Sequence, residues 1–169
     1  MLSALPGRKT CWQRSDPVTS RDPIRAVTPP AQDQRAHALD LRVYYEDTDA
    51  GGVVYYANYL KFMERGRTEW LRALGIDQSD VARECGRVFM VVAMEIKYLQ
   101  PARLDDLLTV RTQVTRIGRA SLNFAQQIYC NGELLTRGTV QVGCVDAITM
   151  RPAGMPPQVR TKLEVTIQE

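Results

Sequence analysis

One helix limits what this chain can fold into more than any other feature. From Tyr56 or Asn58 to Leu74 the sequence places Leu60, Met63, Trp70, Leu71 and Leu74 on one face at helical spacing. Phe62, Gly66 and Ala73 widen that arc to more than half the circumference. A helix this apolar needs a sheet wrapped around it. Gly75 follows as the C-terminal stop. Gly66 costs about 1 kcal/mol against alanine inside a helix, and a close approach of helix to sheet is sufficient reason for it.

The flanking segments supply that sheet. Asp40–Tyr45 alternates in strand fashion before the helix. Ile76–Gly86 is looser and has room for a short helical turn. Val88–Tyr98, Leu107–Arg116, Ser121–Cys130 and Leu134–Asp146 are rich in Val, Ile, Thr and aromatic residues. Turns are expected at Pro101–Asp106 and Ile117–Arg119, and Asn131-Gly132 is a two-residue hairpin signal. After a proline-rich exit at Thr149–Pro157, Gln158–Ile167 is a candidate edge strand. Strand, long helix, then four antiparallel strands gives an α+β fold, one helix inside a single curled sheet. The open edge of such a sheet points to dimerisation.

Composition removes several function classes. The 169 residues suffice for one domain with a sizeable core. Met1–Ala38 holds five of the nine prolines, with six basic and three acidic residues, and is expected to be a disordered tail ahead of a domain at 39–169. Its first fifteen residues carry three basic and no acidic side chains, a faint likeness to a transit peptide; a plain flexible extension is the other reading. Sixteen basic and sixteen acidic residues balance in the rest, so no nucleic-acid partner is expected. No apolar run approaches the ~20 residues of a membrane span, and residues 1–38 lack a secretory core.

Cys11, Cys85, Cys130 and Cys144 have no C-x-x-C spacing and are read as thiols in a reducing cytoplasm. The one histidine, His37, falls in the tail. The domain therefore has no material for a Ser-His-Asp or Cys-His triad, or for a His-rich metal site.

Chemistry concentrates between Tyr45 and Arg72. The acidic cluster Glu46, Asp47, Asp49 runs into Gly51-Gly52 and then into the helix. This order sets Asp49 just before a helix N-terminus, where unpaired N–H groups and the positive dipole end converge. Such donors can hold the oxyanion of a thioester or ester while the carboxylate attacks or activates water. Helix capping is the alternative role for Asp49. Glu46 and Asp47 are read as loop charges pointing elsewhere. Tyr55, Tyr56 and Tyr59 either pack the core or line an acyl pocket, and Asn58 either starts the helix or bonds within the site. Arg67, within the apolar arc, is expected to pair with Glu64. Arg116 and Arg119 flank Gly118 as a basic hairpin, either solvated or suited to phosphate.

Val43–Arg72 closely resembles the Tol-Pal-associated acyl-CoA thioesterases, and more broadly the 4-hydroxybenzoyl-CoA thioesterase branch of the hot-dog fold. The motif D-T-D-A-G-G-V-V-Y followed by A-N-Y-L carries the likeness, which extends over about Leu41 to Val145. It implies a sheet of five or six strands around one helix, dimers and commonly tetramers with active sites at the dimer interface, and hydrolysis of acyl-CoA without a metal or other cofactor. It assigns catalysis to Asp49 and to the Tyr56 backbone N–H, and brings the loop with Gly51, Gly52 and Val54 to the thioester. It brings Arg116 and Arg119 to the CoA phosphates; Tyr55 and Asn58 are candidate substrate-binding residues from their place at the helix start, not from the resemblance. One departure is Tyr56, where the Tol-Pal branch usually has His; a backbone role survives the change. The expected activity is acyl-CoA thioester hydrolysis, with acyl carrier protein as another possible thiol carrier. The rival is a non-catalytic acyl-CoA or acyl-carrier binding module. A hydratase is disfavoured, since that chemistry generally needs a histidine.

Overall fold

The computed structural model describes residues 36–168, so the assigned tail lies outside the described residues up to position 35. Eight main elements follow in order: β1 (His37–Arg42), α1 (Asn58–Ala73), α2 (Gln78–Cys85), β2 (Arg87–Tyr98), β3 (Leu107–Ile117), β4 (Ser121–Cys130), β5 (Glu133–Asp146) and α3 (Pro157–Gln168). The strands make one antiparallel sheet in the order β1-β3-β4-β5-β2. This is the expected α+β arrangement of a sheet curled about one long helix.

Period-two burial shows which face meets the helix. Leu108, Val110, Thr112 and Val114 of β3 are buried, as are Leu122, Phe124, Gln126 and Ile128 of β4. Phe62 and Met63 of α1 are fully buried, each contributing about 1.5–3 kcal/mol by removal of apolar surface. Gly66 lets the helix sit this close. A Cβ there would lie 2.8 Å from both Thr112 Oγ1 and Val110 Cγ1, well inside normal contact.

Turn chemistry fixes the connections. Gly75 ends α1 with φ +67°, a value glycine adopts without strain. Asn131 and Gly132 turn β4 into β5 with φ +50° and +83°, the mirror-image turn suited to twisted strands. Asp77 caps α2 by accepting from Ser79 N and Asp80 N, which makes a regular helix of the stretch read as loose.

Four expectations change. The first strand runs His37–Arg42 rather than Asp40–Tyr45, because Asp47 Oδ2 accepts from Tyr44 N and folds Tyr45–Asp47 into a 3-10 turn. His37 and Ala38, assigned to the tail, belong to this strand. Gln158–Ile167 is not an edge strand but lies in α3, which starts at Pro157 and buries Val159 and Leu163 one turn apart. Leu60 is 37% exposed rather than in the core.

Arg67, the fourth, does not pair with Glu64. Its NH1 donates to Gln126 Oε1 at 2.7 Å, while Gln126 Nε2 donates to Met63 O and Thr112 Oγ1, both at 2.8 Å. Glu64 instead accepts from Thr68. Helix and sheet are thus joined by a buried polar bridge, and burial lowers the pKa of Arg67.

Candidate active site

The loop before α1 closes on itself between Thr48 and Val54, which form an isolated antiparallel bridge. Asp49 N donates to Val53 O at 3.0 Å, and Gly52 N donates to Asp49 O at 2.9 Å. Gly52 supports the tight return with φ +71°. Gly51 N donates to Asp49 Oδ1 at 2.7 Å, holding the carboxylate over the turn. Asp49 is solvent-exposed in the single chain.

Asp49 is not the helix cap. The N-cap of α1 is Ala57, which has no side-chain capping bond. Asp47 and Asn58 instead tie the loop to the helix. Tyr55 N donates to Asp47 O at 2.8 Å, and Asn58 Nδ2 donates to Asp47 O at 3.0 Å and reaches Glu46 O at 3.5 Å. Both side chains are about 5% exposed. The Asn58 donor, a candidate for substrate contact, is thereby committed to the loop. Asp47 points inward to Tyr44 N, away from Asp49's solvent-exposed position.

Peptide N–H groups are left at the helix entrance, those of Tyr56 and Ala57 among them. Neither Tyr56 N–H nor Ala57 N–H has an acceptor among the described residues. Beside them a cleft of about 250 Å³ is lined by Val54, Tyr56, Tyr59, Tyr98, Leu99 and Pro101, with Gln100 at its edge. Tyr59 is buried and its hydroxyl accepts from Ala102 N at 2.8 Å, so this ring serves the core and the cleft wall together. Tyr55 and Tyr56 stand at the rim, 42% and 59% exposed, with ring centroids 4.6 Å apart.

Three phenols here, those of Tyr55, Tyr59 and Tyr98, are held neutral. Burial raises the pKa of Tyr59, and burial followed by the neighbouring Tyr56 raises that of Tyr98. Tyr55 is raised chiefly by its hydrogen bond with Tyr56, with a further contribution from the charge of Asp49. These groups are hydrogen-bond donors at neutral pH rather than bases. Tyr98, Leu99 and Pro101 were not marked out by the sequence, since an aromatic residue ending a β-type run is ordinary strand composition.

Arg116 and Arg119 are not near Asp49 in one chain. They sit by the β3–β4 turn, at the end of the sheet where Arg87 pairs with Asp146, whereas Asp49 belongs with Tyr98 at the other end. β4 runs between these ends from Ser121 to Cys130, about 30 Å at strand rise. Both arginines are exposed and neither is ion-paired among the described residues. No group of three or more His, Cys, Asp or Glu among the described residues is placed to hold a metal ion.

Residues 51–136 match the family model of the thioesterase superfamily, a segment running from the Gly51-Gly52 turn through α1 and into β5. The chain belongs to the thioesterase superfamily. It is 47% identical over 123 residues to the acyl-CoA thioesterase YbgC of Haemophilus influenzae, covering 73% of this chain and 90% of that protein. The acyl-CoA thioesterase YbgC of Helicobacter pylori is 34% identical over 127 residues, 70% of this chain and 92% of the relative. A probable thioesterase from Bartonella henselae has a solved structure that superposes with TM-score 0.68 at 36% identity, covering 72% of this chain and 99% of that one. The hot-dog arrangement of the fold agrees with this family.

Proposed function

We propose that the protein hydrolyses acyl-CoA thioesters, with Asp49 and the Tyr56 N–H as its reacting groups. The observation that carries this is the pairing of an outward-held carboxylate with unpaired helix-entrance N–H groups in a chain 47% identical to an acyl-CoA thioesterase. The thioester carbonyl oxygen takes the Tyr56 N–H. The Asp49 carboxylate adds to the carbonyl carbon, the C–S bond breaks, and CoA departs as thiolate. Water then cleaves the mixed anhydride to the free acid and restores Asp49. In the alternative order Asp49 takes a proton from the attacking water and no covalent intermediate forms. Thiolate leaves readily, so neither route needs a dedicated general acid or a metal. One oxyanion donor of this type contributes about 3–4 kcal/mol to the transition state.

A second copy completes the site in this reading. β2 is an edge strand, and Met90, Val91 and Val92 on it, then Tyr98 and Leu99, are exposed apolar residues. Leu60 lies on the same helical stripe as Glu64, Arg67 and Leu71, which line a gap with Phe89 and Val91 of β2. Pairing of β2 with its copy about a two-fold axis covers these side chains and draws water away from Asp49. Antiparallel pairing also reverses the sheet. Arg116 and Arg119 of the copy then approach Asp49 of the first chain, at a reach suited to CoA phosphates. Two such dimers make the tetramer common in the family.

A reducing cytoplasm is the compartment proposed for the chain's thiols. No helix among the described residues is long and apolar enough to cross a membrane. Acyl carrier protein is the alternative thiol carrier.

Release of free thiol from a panel of short, long and aromatic acyl-CoAs tests the proposal. Asp49→Asn is expected to lose at least about 10²-fold in turnover. Full activity in this variant would remove Asp49 from the mechanism. CoA binding without turnover on the whole panel would favour a binding module. In labelled water, a single turnover that puts label into the Asp49 carboxylate supports nucleophilic attack, and absence of label from the protein favours the general-base route.

A further inference from the structure

Each peptide at the entrance to α1 is oriented by what its carbonyl accepts. The Tyr55 carbonyl accepts from Asn58 N–H at 2.8 Å, and the Tyr56 carbonyl accepts from the Tyr98 hydroxyl at 3.0 Å. A trans peptide is planar, with its N–H directed opposite to its C=O, and no cis peptide occurs among the described residues. The Tyr56 N–H therefore points away from Asn58 N, and the Ala57 N–H points away from the Tyr98 hydroxyl. The Asn58-to-Tyr55 bond closes a four-residue turn whose third residue, Ala57, has φ −73° and ψ −20°, the angles of a type I turn, in which the second residue, Tyr56, is helical as well. In that conformation successive N–H groups face the same N-terminal side.

Tyr98 is braced for this task. It is the last residue of β2, its ring stands edge-on to Tyr59 at 5.6 Å and to Tyr56 at 6.4 Å, and all three residues line the cleft. Among the described residues the phenol is the one group that bonds the Tyr56 carbonyl. Without it the Tyr56–Ala57 peptide has no partner from outside the turn, and its plane can rock at the mouth of the helix.

We propose that Tyr98 is a positioning residue, and that the Ala57 N–H it aims is a second donor to the oxyanion beside the Tyr56 N–H. This rests on thioester hydrolysis at the cleft and extends it: the negative charge of the tetrahedral state is shared by two peptides, each fixed through its carbonyl. Asn58 N fixes one and the Tyr98 phenol the other. Donors held in place before reaction stabilise developing charge without reorganising. A ring that merely walls the cleft would act on substrate binding instead, and would not need its hydroxyl.

Tyr98→Phe keeps the ring and deletes the hydroxyl. With hexanoyl-CoA as substrate, kcat is expected to fall roughly three- to tenfold, the worth of one neutral hydrogen bond, with KM and melting temperature little changed. A second readout is the thioester C=O stretch of hexanoyl-CoA bound to Asp49→Asn, followed by Raman difference spectroscopy. Adding Tyr98→Phe should move that band toward its frequency in water. An active wild type whose Tyr98→Phe variant keeps its kcat, or changes only KM, overturns the role of Tyr98 and leaves the hydrolase standing. So does a lower kcat with the carbonyl band unmoved. A wild type inert toward the whole acyl-CoA panel overturns both.

Discussion

Gly51 donates its N–H to Asp49 Oδ1 at 2.7 Å, and a Cβ placed on Gly51 would stand 3.0 Å from that same oxygen. The glycine thus holds the carboxylate and leaves it room. Gly51→Ala should push the Asp49 side chain by a few tenths of an ångström. Reacting groups tolerate little displacement, since about 1 Å can cost 10²-fold in rate. Turnover on acyl-CoA is expected to fall about tenfold or more, while the melting temperature stays close to wild type because the loop is exposed. Steady-state kinetics and a thermal melt on the same preparation check both halves.

The buried bridge under α1 makes a prediction about stability rather than rate. Gln126 accepts from Arg67 and donates to both Met63 O and Thr112 Oγ1, and it is 1% exposed. Gln126→Ala strands a guanidinium, a carbonyl and a hydroxyl in the interior at once, for a cost of about 2–4 kcal/mol. Arg67→Met removes the charge along with its need for an acceptor and should cost less, because buried charges are expensive to keep. Urea midpoints for the two variants give the order directly.

Much of this fold could be read from residue spacing, and the exceptions share a cause. Runs rich in Val, Ile, Thr and aromatic residues located β2 to β5, while Asn131-Gly132 marked the β4–β5 hairpin and Gly75 the end of α1, positions that take a positive φ. α3 was missed because Val159 and Val165 favour a strand locally, whereas burial of Val159 and Leu163 in the core cluster with Trp70, Leu71 and Val114 decides for a helix. The helical pattern showed Arg67 on the apolar arc, but its partner Gln126 is 59 positions away. At the proposed site, spacing singled out Asp49 ahead of a helix start. It could not distinguish a cap from a carboxylate held outward, which depends on the Thr48–Val54 closure. Nor could it show that Tyr98 reaches back across 42 positions to the Tyr56 carbonyl, or that Arg116 and Arg119 lie at the opposite end of the sheet.

The cap of α2 gives a pH-dependent test. Asp77 accepts from Asp80 N and Ser79 N, and these bonds hold its carboxyl below the usual aspartate pKa of 3.8. A folded pKa below the unfolded one means stability that is fully present above the ordinary aspartate range. It is lost as pH falls through the lower folded value. Asp77→Ala should therefore melt below wild type at neutral pH, and the gap should close as pH falls through the lowered folded value and the Asp77 carboxyl becomes protonated in folded and unfolded chain alike. Melting curves of the two proteins across that range check the sign. A gap that widens toward acid would contradict it.

The proposed seam can be tested without touching any group at the cleft. Val92 lies mid-way along β2 and is 65% exposed, so the single chain does not need its side chain for packing. A glutamate there would meet its own copy across the two-fold axis, placing like charges together where apolar contact is expected. Val92→Glu should leave the circular dichroism spectrum unchanged and convert the protein to a monomer by light scattering. If the copy also supplies Arg116 and Arg119 and shields Asp49 from water, the monomer should lose at least about 10²-fold in turnover, as charge stabilisation weakens in an open, hydrated site. A folded monomer with full activity would return the whole site to one chain. A variant that still dimerises would move the seam to the other edge of the sheet, at β1.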